Sequence, residues 1–569
     1  MRFLPAATWL RTYNRSDLKP DLAAGVTIAA MLVPQGMAYA LLAGLPPEVG
    51  LYAATIPVLV YALFGTSRQL AVGPVAIVSL LTASTLAPIV EEGSAGYLAA
   101  AALLAVMVGV VHLVLGFGRL GFLVNVLSHS VLVGFTAAAA IIIGFSQVKH
   151  VLGVSVPRQD HFIDTVREVV ERLGEVHGVT LALGLASLVV LLAARRVMPR
   201  LPAALVVVAG STLAVELLDL EAEGVAVVGD IPDSLPVFGV PDASGSLIAD
   251  LAVAAMVITL VGFMESIAVA KVYARRHRYE LDPDQELIGL GAANVASGLF
   301  GGYPVTGGFS RTAVNDTAGA RTPLASVVTA SLVLVTIAFL TPLLVSLPKA
   351  ALGAVIMVAV AGLFDIDEMR HIATIKRSDL IGMTVAFVAT LALGIEIGIA
   401  LAVIASMLVV FARMSRPHTA VLGRIDGTTS YRNVERFPEA VLAGDVRVLR
   451  IDASLSFVNA ANVKATMVAA ADESPAAVVL DASGINDIDA TGVEALHEVI
   501  AEYDERSVPL HIADLKGPVR DVLHRSGLWA DLGDRLHPTT HDAVEAALGR
   551  DAAGDPRDRG LDERPALTP

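Results

Sequence analysis

The stretch YPVTGGFSRTAVNDTAGARTP occupies residues 303–323 and lies between two apolar segments that resemble membrane helices. It brings together glycines, hydroxyl groups, an aspartate and two arginines. Polar and ionisable residues inside a membrane are costly and mark substrate or ion pathways. The stretch therefore predicts a broken membrane span that lines a site inside the protein.

The composition around this stretch is that of a membrane protein with many spans. Of the 569 residues, 55% are hydrophobic and 17% are charged, and the mean hydropathy is +0.69. Apolar windows of about 17–25 residues, the length of a membrane helix, recur from about residue 21 to about residue 413. The chain has no cysteine, which excludes disulfides, thiolate metal sites and cysteine nucleophiles. The histidines show no ligand spacing, so we predict no metal site. We also predict no cofactor and no nucleic-acid partner.

The basic residues predict the orientation of the spans, because short cytoplasmic loops favour Lys and Arg. With the N-terminus inside, most basic residues fall in inside segments, and the outside segment 218–247 has none. The outside loop 147–175 is basic as well as acidic and is an exception to this pattern. An even number of spans predicts that both termini are cytoplasmic, with the protein in the cell (inner) membrane. The predicted span centres lie near residues 31, 56, 79, 107, 134, 186, 208, 260, 292, 314, 333, 356, 386 and 403.

These spans divide into seven plus seven, and each half has a short, broken third span. It is TSRQLAVGPVAIVSLL in the first half (residues 66–81) and GGYPVTGGFSRTAVND in the second (residues 301–316). Each contains a brief extended run, then glycine, then a short helix. Paired interrupted spans at matching places in two halves point to the central site of a transporter. The predicted fold class is a polytopic α-helical membrane protein with a 7+7 inverted repeat, whose halves cover residues 21–217 and 248–414.

A helix that starts in mid-membrane is suited to bind an anion. Its first N–H groups have no partner, and its dipole places about half a positive charge there. Two such ends that face each other attract an anion without any side chain. We predict that Pro74 lies in the first turn of the third span, where a missing N–H costs nothing, and that Ser310 faces the anion. The alternative is that Gly and Pro are simply common in membrane helices.

One acidic residue, Glu265, lies in the middle of the apolar segment 256–276. No charged residue lies three or four positions away, so the helix offers no local ion pair. An intramembrane carboxylate of this kind suits a proton carrier. Arg311 is its predicted distant partner, and the alternative is a structural ion pair that only fixes the packing.

Gln35 and Tyr39 lie four residues apart on the first span and therefore share one face. We predict that Gln35 binds the anion or a half-helix end, and that Tyr39 forms a wall of the cavity. The alternative is an ordinary hydrogen bond between membrane helices. Asn315 and Asp316 are candidates for a helix cap or a cation site.

The C-terminal third of the chain is polar and predicts a separate domain. Residues 1–20 are predicted as a cytoplasmic segment, residues 415–440 as a linker and residues 550–569 as a disordered tail. Between them, residues 441–549 alternate strand-like and helix-like runs, which predicts an α/β domain. No phosphate loop, G-x-S-x-G or zinc signature is present, so we predict a regulatory or structural role and no enzyme activity.

Three stretches resemble the sulfate permease (SulP) anion transporters, the family that includes prestin: residues 33–68, the run GGFSRTAVNDTAGARTPLAS (residues 307–326), and VVLDASGINDIDATGVEAL (residues 478–496), which is similar to a STAS domain. The resemblance implies core and gate domains, an elevator-type movement, a homodimer and an anion bound between the third and tenth spans. It implies a regulatory site at Thr491, for which a helix cap is the alternative, and proton coupling at Glu265. The resemblance matches Gln35, Tyr39, Ala76, Ser310 and Arg311 to positions at the substrate site. The predicted substrate-binding residues are these five together with their neighbours Val75, Gly308 and Phe309.

The function expected from these features is proton-coupled uptake of an inorganic oxyanion, and sulfate is the first candidate. Sodium-coupled transport of bicarbonate or of a C4-dicarboxylate is one alternative, and an uncoupled anion channel is another. A membrane-bound sensor that acts through a protein partner of the STAS domain is a third. The sequence does not decide between these anions, because anions of similar size and charge make similar demands on N–H donors.

Overall fold

The computed structural model describes residues 4–122, 128–156, 159, 162–197, 203–229, 234–242, 244–472 and 475–549. The chain divides into two compact units, Met1–Ser406 and Met407–Pro569. The predicted disordered tail, residues 550–569, lies outside the described residues.

The first half of the membrane unit is helical apart from one two-residue strand. In chain order its elements are α1 (Ala6–Arg11), α2 (Arg15–Leu42), α3 (Pro47–Tyr52), α4 (Ile56–Phe64), β1 (Val72–Gly73), α5 (Ala76–Leu86), α6 (Ala95–Phe117), α7 (His129–Ser146), α8 (Val148–Leu152), α9 (Phe162–Glu171), α10 (Gly178–Val197) and α11 (Ala203–Leu218).

The second half repeats this pattern, again with one two-residue strand before a short helix. Its elements are α12 (Gly245–Arg276), α13 (Pro283–Leu299), β2 (Thr306–Gly307), α14 (Phe309–Thr317), α15 (Leu324–Val335), α16 (Lys349–Ala361), α17 (Ile366–Ile375), α18 (Arg377–Leu393) and α19 (Ile395–Ser415).

Every predicted span centre lies within one of these helices, and the two third spans are short as predicted. Helix α5 has 11 residues and α14 has 9. At about 1.5 Å of rise per residue, each covers only about half of a hydrocarbon core of about 30 Å. The glycine and proline residues ahead of each helix therefore mark true breaks.

The main helix pairs of the membrane unit join one half of the chain to the other. Helix α6 packs on α13, and α2 packs on α15. Helix α7 packs on α18, and α10 packs on α16. Gly109 allows the close approach of α6 to α13, because a Cβ there would lie 2.5 Å from the backbone nitrogen of Val295. The two repeats therefore interlock rather than fold side by side.

The second unit is a mixed sheet with helices on both faces, and the strand–helix alternation predicted for residues 441–549 is found. The elements are β3 (Thr419–Ile425), β4 (Tyr431–Asn433), β5 (Ala440–Val441), β6 (Val446–Ile451), α20 (Ala460–Ala471), β7 (Ala477–Asp481), α21 (Ala490–Glu505), β8 (Leu510–Ala513), α22 (Gly517–Ser526), α23 (Leu528–Leu532), β9 (Leu536–His537) and α24 (Thr540–Ala547). The strand order is β4-β3-β6-β7-β8-β9, with β5 paired to β3. Strands β6 to β9 are parallel.

The structure differs from the predicted linker over residues 415–440. Strands β3 and β4 lie there, and β3 pairs antiparallel with β6 from Thr419 opposite Ile451 to Leu422 opposite Val448. A strand with one partly exposed face alternates polar and apolar residues. When such a strand is short, its sequence is easily mistaken for that of a polar loop. The sheet therefore begins within a few residues of the end of α19.

The structure also corrects the cap suggested for Thr491. The N-cap of α21 is Asp489, whose Oδ1 accepts the N–H of Gly492 at 2.8 Å and whose Oδ2 accepts the N–H of Phe457 at 2.9 Å. Thr491 is the second residue of the helix and is exposed. A carboxylate is the better acceptor for these N–H groups because its hydrogen bonds are charge-assisted.

Candidate functional site

The two broken spans meet through a two-stranded antiparallel sheet inside the membrane unit. Val72 lies opposite Gly307, and Gly73 lies opposite Thr306. The N–H of Gly308 also donates to the carbonyl of Ala71 at 3.1 Å. Since α5 begins three residues after this sheet and α14 begins two residues after it, the starts of both half-helices lie close together.

The first N–H groups of both half-helices have no acceptor within their helix. The first helical hydrogen bonds run from Ser79 to the Val75 carbonyl and from Thr312 to the Gly308 carbonyl. Neither N-cap residue, Val75 or Gly308, supplies a side-chain cap. These ends are therefore suited to bind an anion, because their N–H groups and helix dipoles offer positive potential.

Pro74 does not lie where the sequence predicts it. The helix begins at Ala76 with Val75 as N-cap, so Pro74 precedes the first turn. Its carbonyl instead accepts a hydrogen bond from Nη1 of Arg311. The reason is tertiary: β1 pairs with β2, and this pairing keeps the chain extended for two residues beyond the position predicted.

Arg311 reaches back from α14 into the space between the two half-helix ends. It is 2% exposed, and its Nε and Nη2 have no hydrogen-bond partner among the described residues. A Cβ on Gly308 would lie 3.1 Å from Nη2 of Arg311 and 3.4 Å from Cγ1 of Val75. A side chain at position 308 would therefore crowd the guanidinium. Two buried donors without acceptors are costly, which indicates that they face a ligand.

Glu265 lies beside the same sheet but makes no ion pair within 4.0 Å among the described residues. It is 7% exposed, and its Oε2 has no hydrogen-bond partner there. The next residue, Ser266, fixes its place, because Oγ of Ser266 accepts the N–H of Gly307 at 2.8 Å. The carboxylate is within electrostatic range of Arg311. Glu265 and Arg311 therefore interact electrostatically, as predicted, but do not form a direct ion pair.

The remaining predicted site residues lie on α2 and around the starts of α5 and α14, and their exposure differs. Gln35 is 6% exposed and its Oε1 has no partner among the described residues, whereas Tyr39, also 6% exposed, is within electrostatic range of Arg311. Val75 and Ala76 are buried. Phe309, which is 44% exposed, and Ser310 face open space.

The cation site considered at Asn315 and Asp316 is not supported by their contacts. Asp316 accepts hydrogen bonds from Arg276 at 2.9 Å and from His277 at 2.5 Å. Nδ2 of Asn315 donates to the Gln69 carbonyl at 2.9 Å. These bonds fasten the far end of α14 to α12 and to the segment before β1, so both residues have a structural role.

Neighbouring helices hold the broken segments in place by hydrogen bonds that the sequence does not reveal. On α13, Asn294 donates to the Val305 carbonyl and accepts the Val305 N–H, at 2.9 and 2.8 Å. The hydroxyls of Tyr303 and Ser79 lie 2.8 Å apart and join the second broken span to α5. The site is therefore preorganised on one set of helices.

Glu286, on α13, is a further residue of this support that sequence reasoning misses. Its Oε2 accepts from the Tyr61 hydroxyl at 2.7 Å, while Oε1 accepts from the N–H and Oγ1 of Thr66 at 2.6 and 2.5 Å and from the N–H of Ser67 at 2.9 Å. It is 1% exposed. It thus fixes the loop that leads into β1. The only sign of this role in the sequence is that Glu286 is an acidic residue near the start of an apolar helix.

Comparison with known proteins agrees with this architecture. Residues 18–386 match the Sulfate permease family. The chain belongs to this family. Residues 437–543 match the STAS domain, and this range contains strands β5 to β9 of the sheet described above.

Several relatives of this sulfate permease family member carry the name of sulfate transporters. It is 38% identical over 567 residues to "Sulfate transporter 4.1, chloroplastic" of Arabidopsis thaliana, covering 96% of this chain and 82% of the relative. It is 36% identical over 546 residues to a "Probable sulfate transporter" of Mycobacterium tuberculosis, covering 95% and 97%. Family membership makes the chain a multi-span membrane transporter of an anion, not an enzyme.

The solved structures that the chain resembles establish its 7+7 fold. The murine Slc26a9 anion transporter in the inward-facing state has a TM-score of 0.90 at 26% identity, with 96% of this chain and 94% of that chain covered. The membrane domain of the cyanobacterial bicarbonate transporter BicA has a TM-score of 0.61 at 24% identity, with 69% and 98% covered. At 24% identity, the similarity to BicA shows only that the two folds are alike.

For Glu286→Gln we expect the apparent affinity for the transported anion to fall by about ten-fold, because an amide cannot accept all four hydrogen bonds and buried donors lose their partners. The loop before β1 then shifts, and with it the start of α5. Anion uptake by reconstituted protein, measured over a range of substrate concentrations, checks this. Glu280→Gln, an exposed acid in the preceding loop, is the matched control. An unchanged KM in Glu286→Gln would contradict the positioning role.

Proposed function

We propose that this sulfate permease family member is a secondary active transporter that takes up sulfate together with a proton. The names of its relatives support sulfate as the anion. One observation carries the proposal: between two half-helix ends, the buried Arg311 holds two N–H donors that have no partner in the described part of the chain. Sulfate is a tetrahedral dianion, whose oxygens can accept from a guanidinium and from helix N–H groups at the same time.

The proposed substrate site uses the eight residues predicted from the sequence. Arg311 supplies charge and directed donors, and the N–H groups after Val75 and Gly308 surround the anion. Gln35 lends its amide and Tyr39 its hydroxyl from α2. Ser310 and Phe309 form the side that faces open space. Ala76 has a small side chain, which leaves the N-terminus of α5 uncovered.

Coupling to a proton follows from the position of Glu265. When the carboxylate is ionised, its negative charge offsets the field of Arg311 and repels the anion. When it is protonated, that repulsion is removed and the anion binds more tightly. Because linkage is reciprocal, anion binding then favours protonation to the same extent. A proton and a sulfate ion therefore enter together and leave together.

The transport step in this proposal is an elevator-type movement. Helices α12 and α13 hold the segment ahead of α14, because Ser266 bonds Gly307 of β2 and Asn294 bonds Val305 just before β2. The site therefore lies on one body, which can slide past the group formed by α7, α10, α16 and α18. A rigid-body shift of this kind exposes the site to one side of the membrane and then to the other.

The remaining assignments belong to the same proposal. We place both termini in the cytoplasm and the protein in the inner cell membrane as a homodimer, on the pattern of basic residues and on the family resemblance. The transporter domain covers residues 21–414, and residues 441–549 form the core of the STAS domain. Thr491, exposed at the start of α21, is the proposed position for regulation or for a protein partner.

Transport assays on reconstituted protein test this function. An inward proton gradient should drive accumulation of labelled sulfate, and excess unlabelled sulfate should compete more strongly than bicarbonate, fumarate or chloride. A sodium gradient alone should drive none. Sodium-driven bicarbonate or fumarate uptake, or an anion current without accumulation, would refute the proposal.

A further inference from the structure

The second compact unit contains a basic pocket that is separate from the transport site. Its volume is about 310 Å³. Arg432 and Arg436 come from β4 and the turn after it, and Arg450 comes from β6. His418 and Asp452 complete the charged part of the lining. With three arginines and one aspartate, the lining has a formal charge of +2 while His418 is neutral.

The aspartate already has two partners in the lining, Arg450 and His418. Arg450 donates to Asp452 from Nε at 2.6 Å and from Nη2 at 3.2 Å. Nδ1 of His418 lies 3.0 Å from Oδ2 of the same carboxylate. Asp452 therefore holds Arg450 and His418 at the wall of the pocket and offers little charge to the rest of it.

The other two arginines have no carboxylate within 4.0 Å among the residues that the structure describes. The guanidinium of Arg432 lies over the ring of Phe437, 5.8 Å from the ring centre. Stacking on a ring leaves the guanidinium edge available, and this edge is the part that binds oxyanions in a bidentate manner.

We propose that this pocket binds a phosphate group. A phosphomonoester carries a charge near −2, which matches the lining, and arginine forks match its oxygens better than lysines would. The pocket is larger than one phosphate ion, so it can hold a ligand with a further polar or apolar part beside Phe437. His418 lies only three residues beyond Ser415, where α19 ends. The phosphate can therefore belong to a soluble phosphomonoester or to the headgroup of an anionic membrane lipid.

Calorimetric titration of the purified full-length chain tests this site. Arg311→Ala serves as the background, so that the proposed transport site does not contribute. The probes are inorganic phosphate and a short-chain phosphatidic acid, with the diacylglycerol of the same chain length as the phosphate-free control. We expect saturable binding that becomes at least about ten-fold weaker in Arg432→Gln/Arg436→Gln, because two charge-assisted contacts are lost. Arg525→Gln, an exposed arginine of α22, should leave it unchanged.

The outcomes separate the two sources of the phosphate. Phosphatidic acid that binds at least about ten-fold more tightly than inorganic phosphate, with no binding of diacylglycerol, indicates a lipid headgroup. Equal affinities indicate a soluble phosphomonoester. No saturable binding of either probe, or equal binding by the double variant, overturns the proposal. A thermal melt verifies that each variant is folded, and Arg436→Gln alone serves as the milder test.

Discussion

Arg311→Ala should abolish high-affinity sulfate uptake, and this is the largest effect that we expect from a single substitution. The guanidinium is buried between the two half-helix ends and holds two N–H donors without partners among the described residues. Hydrogen bonds that involve a charged group contribute roughly 1.5–3 kcal/mol each. Losing two of them corresponds to binding that is about 100-fold weaker or more. Equilibrium binding of labelled sulfate to the purified protein measures this directly.

Lysine at the same position should restore only a small part of the affinity. The guanidinium donates to the Pro74 carbonyl through Nη1 and keeps Nε and Nη2 for the anion. A lysine ammonium is a point charge without this fork. Arg275→Gln, an exposed arginine in the last turn of α12, is the matched control. Sulfate affinity in Arg311→Ala within about three-fold of wild type would show that the anion binds elsewhere.

Glu265→Gln should uncouple sulfate movement from the proton gradient without stopping it. The amide cannot exchange a proton, but it removes the negative charge that offsets the field of Arg311. With the membrane potential held at zero, a gradient of one pH unit supports about ten-fold accumulation for each proton co-transported. In the variant the accumulation ratio should fall to about one, while exchange of labelled for unlabelled sulfate continues.

The control for this prediction lies on the same helix. Asp250→Asn changes an exposed acid of α12 and should leave the accumulation ratio as in wild type. If Glu265→Gln still accumulates sulfate under a pH gradient, Glu265 is a packing residue and the proton travels by another group. If exchange is lost as well, the carboxylate is needed for the fold or for anion binding itself.

The sequence predicts the breaks in the membrane spans because glycine, proline and polar residues recur at matching places in both halves. It places the helix start within two residues: Pro74 precedes α5 instead of entering its first turn. The offset comes from the pairing of β1 with β2, which depends on residues more than two hundred positions apart. Local pattern carries no information on such a contact.

The residues that the sequence misses act through tertiary contacts. An acid in the first turn of a helix, as at Glu286, is expected from the helix dipole alone, so its role in holding the loop before β1 is visible only in the fold. The sequence also misses strands β3 and β4, because their polar residues are typical of a loop. Only the pairing of β3 with β4 and with β6 in the fold shows that they are strands. Glu265 and Arg311, by contrast, stand out because charge is rare in membrane helices.

The central claim is that anion binding at Arg311 is linked to protonation of Glu265, and sulfate-induced proton uptake tests it most directly. Sulfate is added to purified protein in weakly buffered solution near neutral pH, and the protons taken up are counted. We predict uptake of up to about one proton per binding site, with none in Glu265→Gln or in Arg311→Ala. Saturable sulfate binding by the wild type without proton uptake, or equal uptake in Glu265→Gln, would contradict the account.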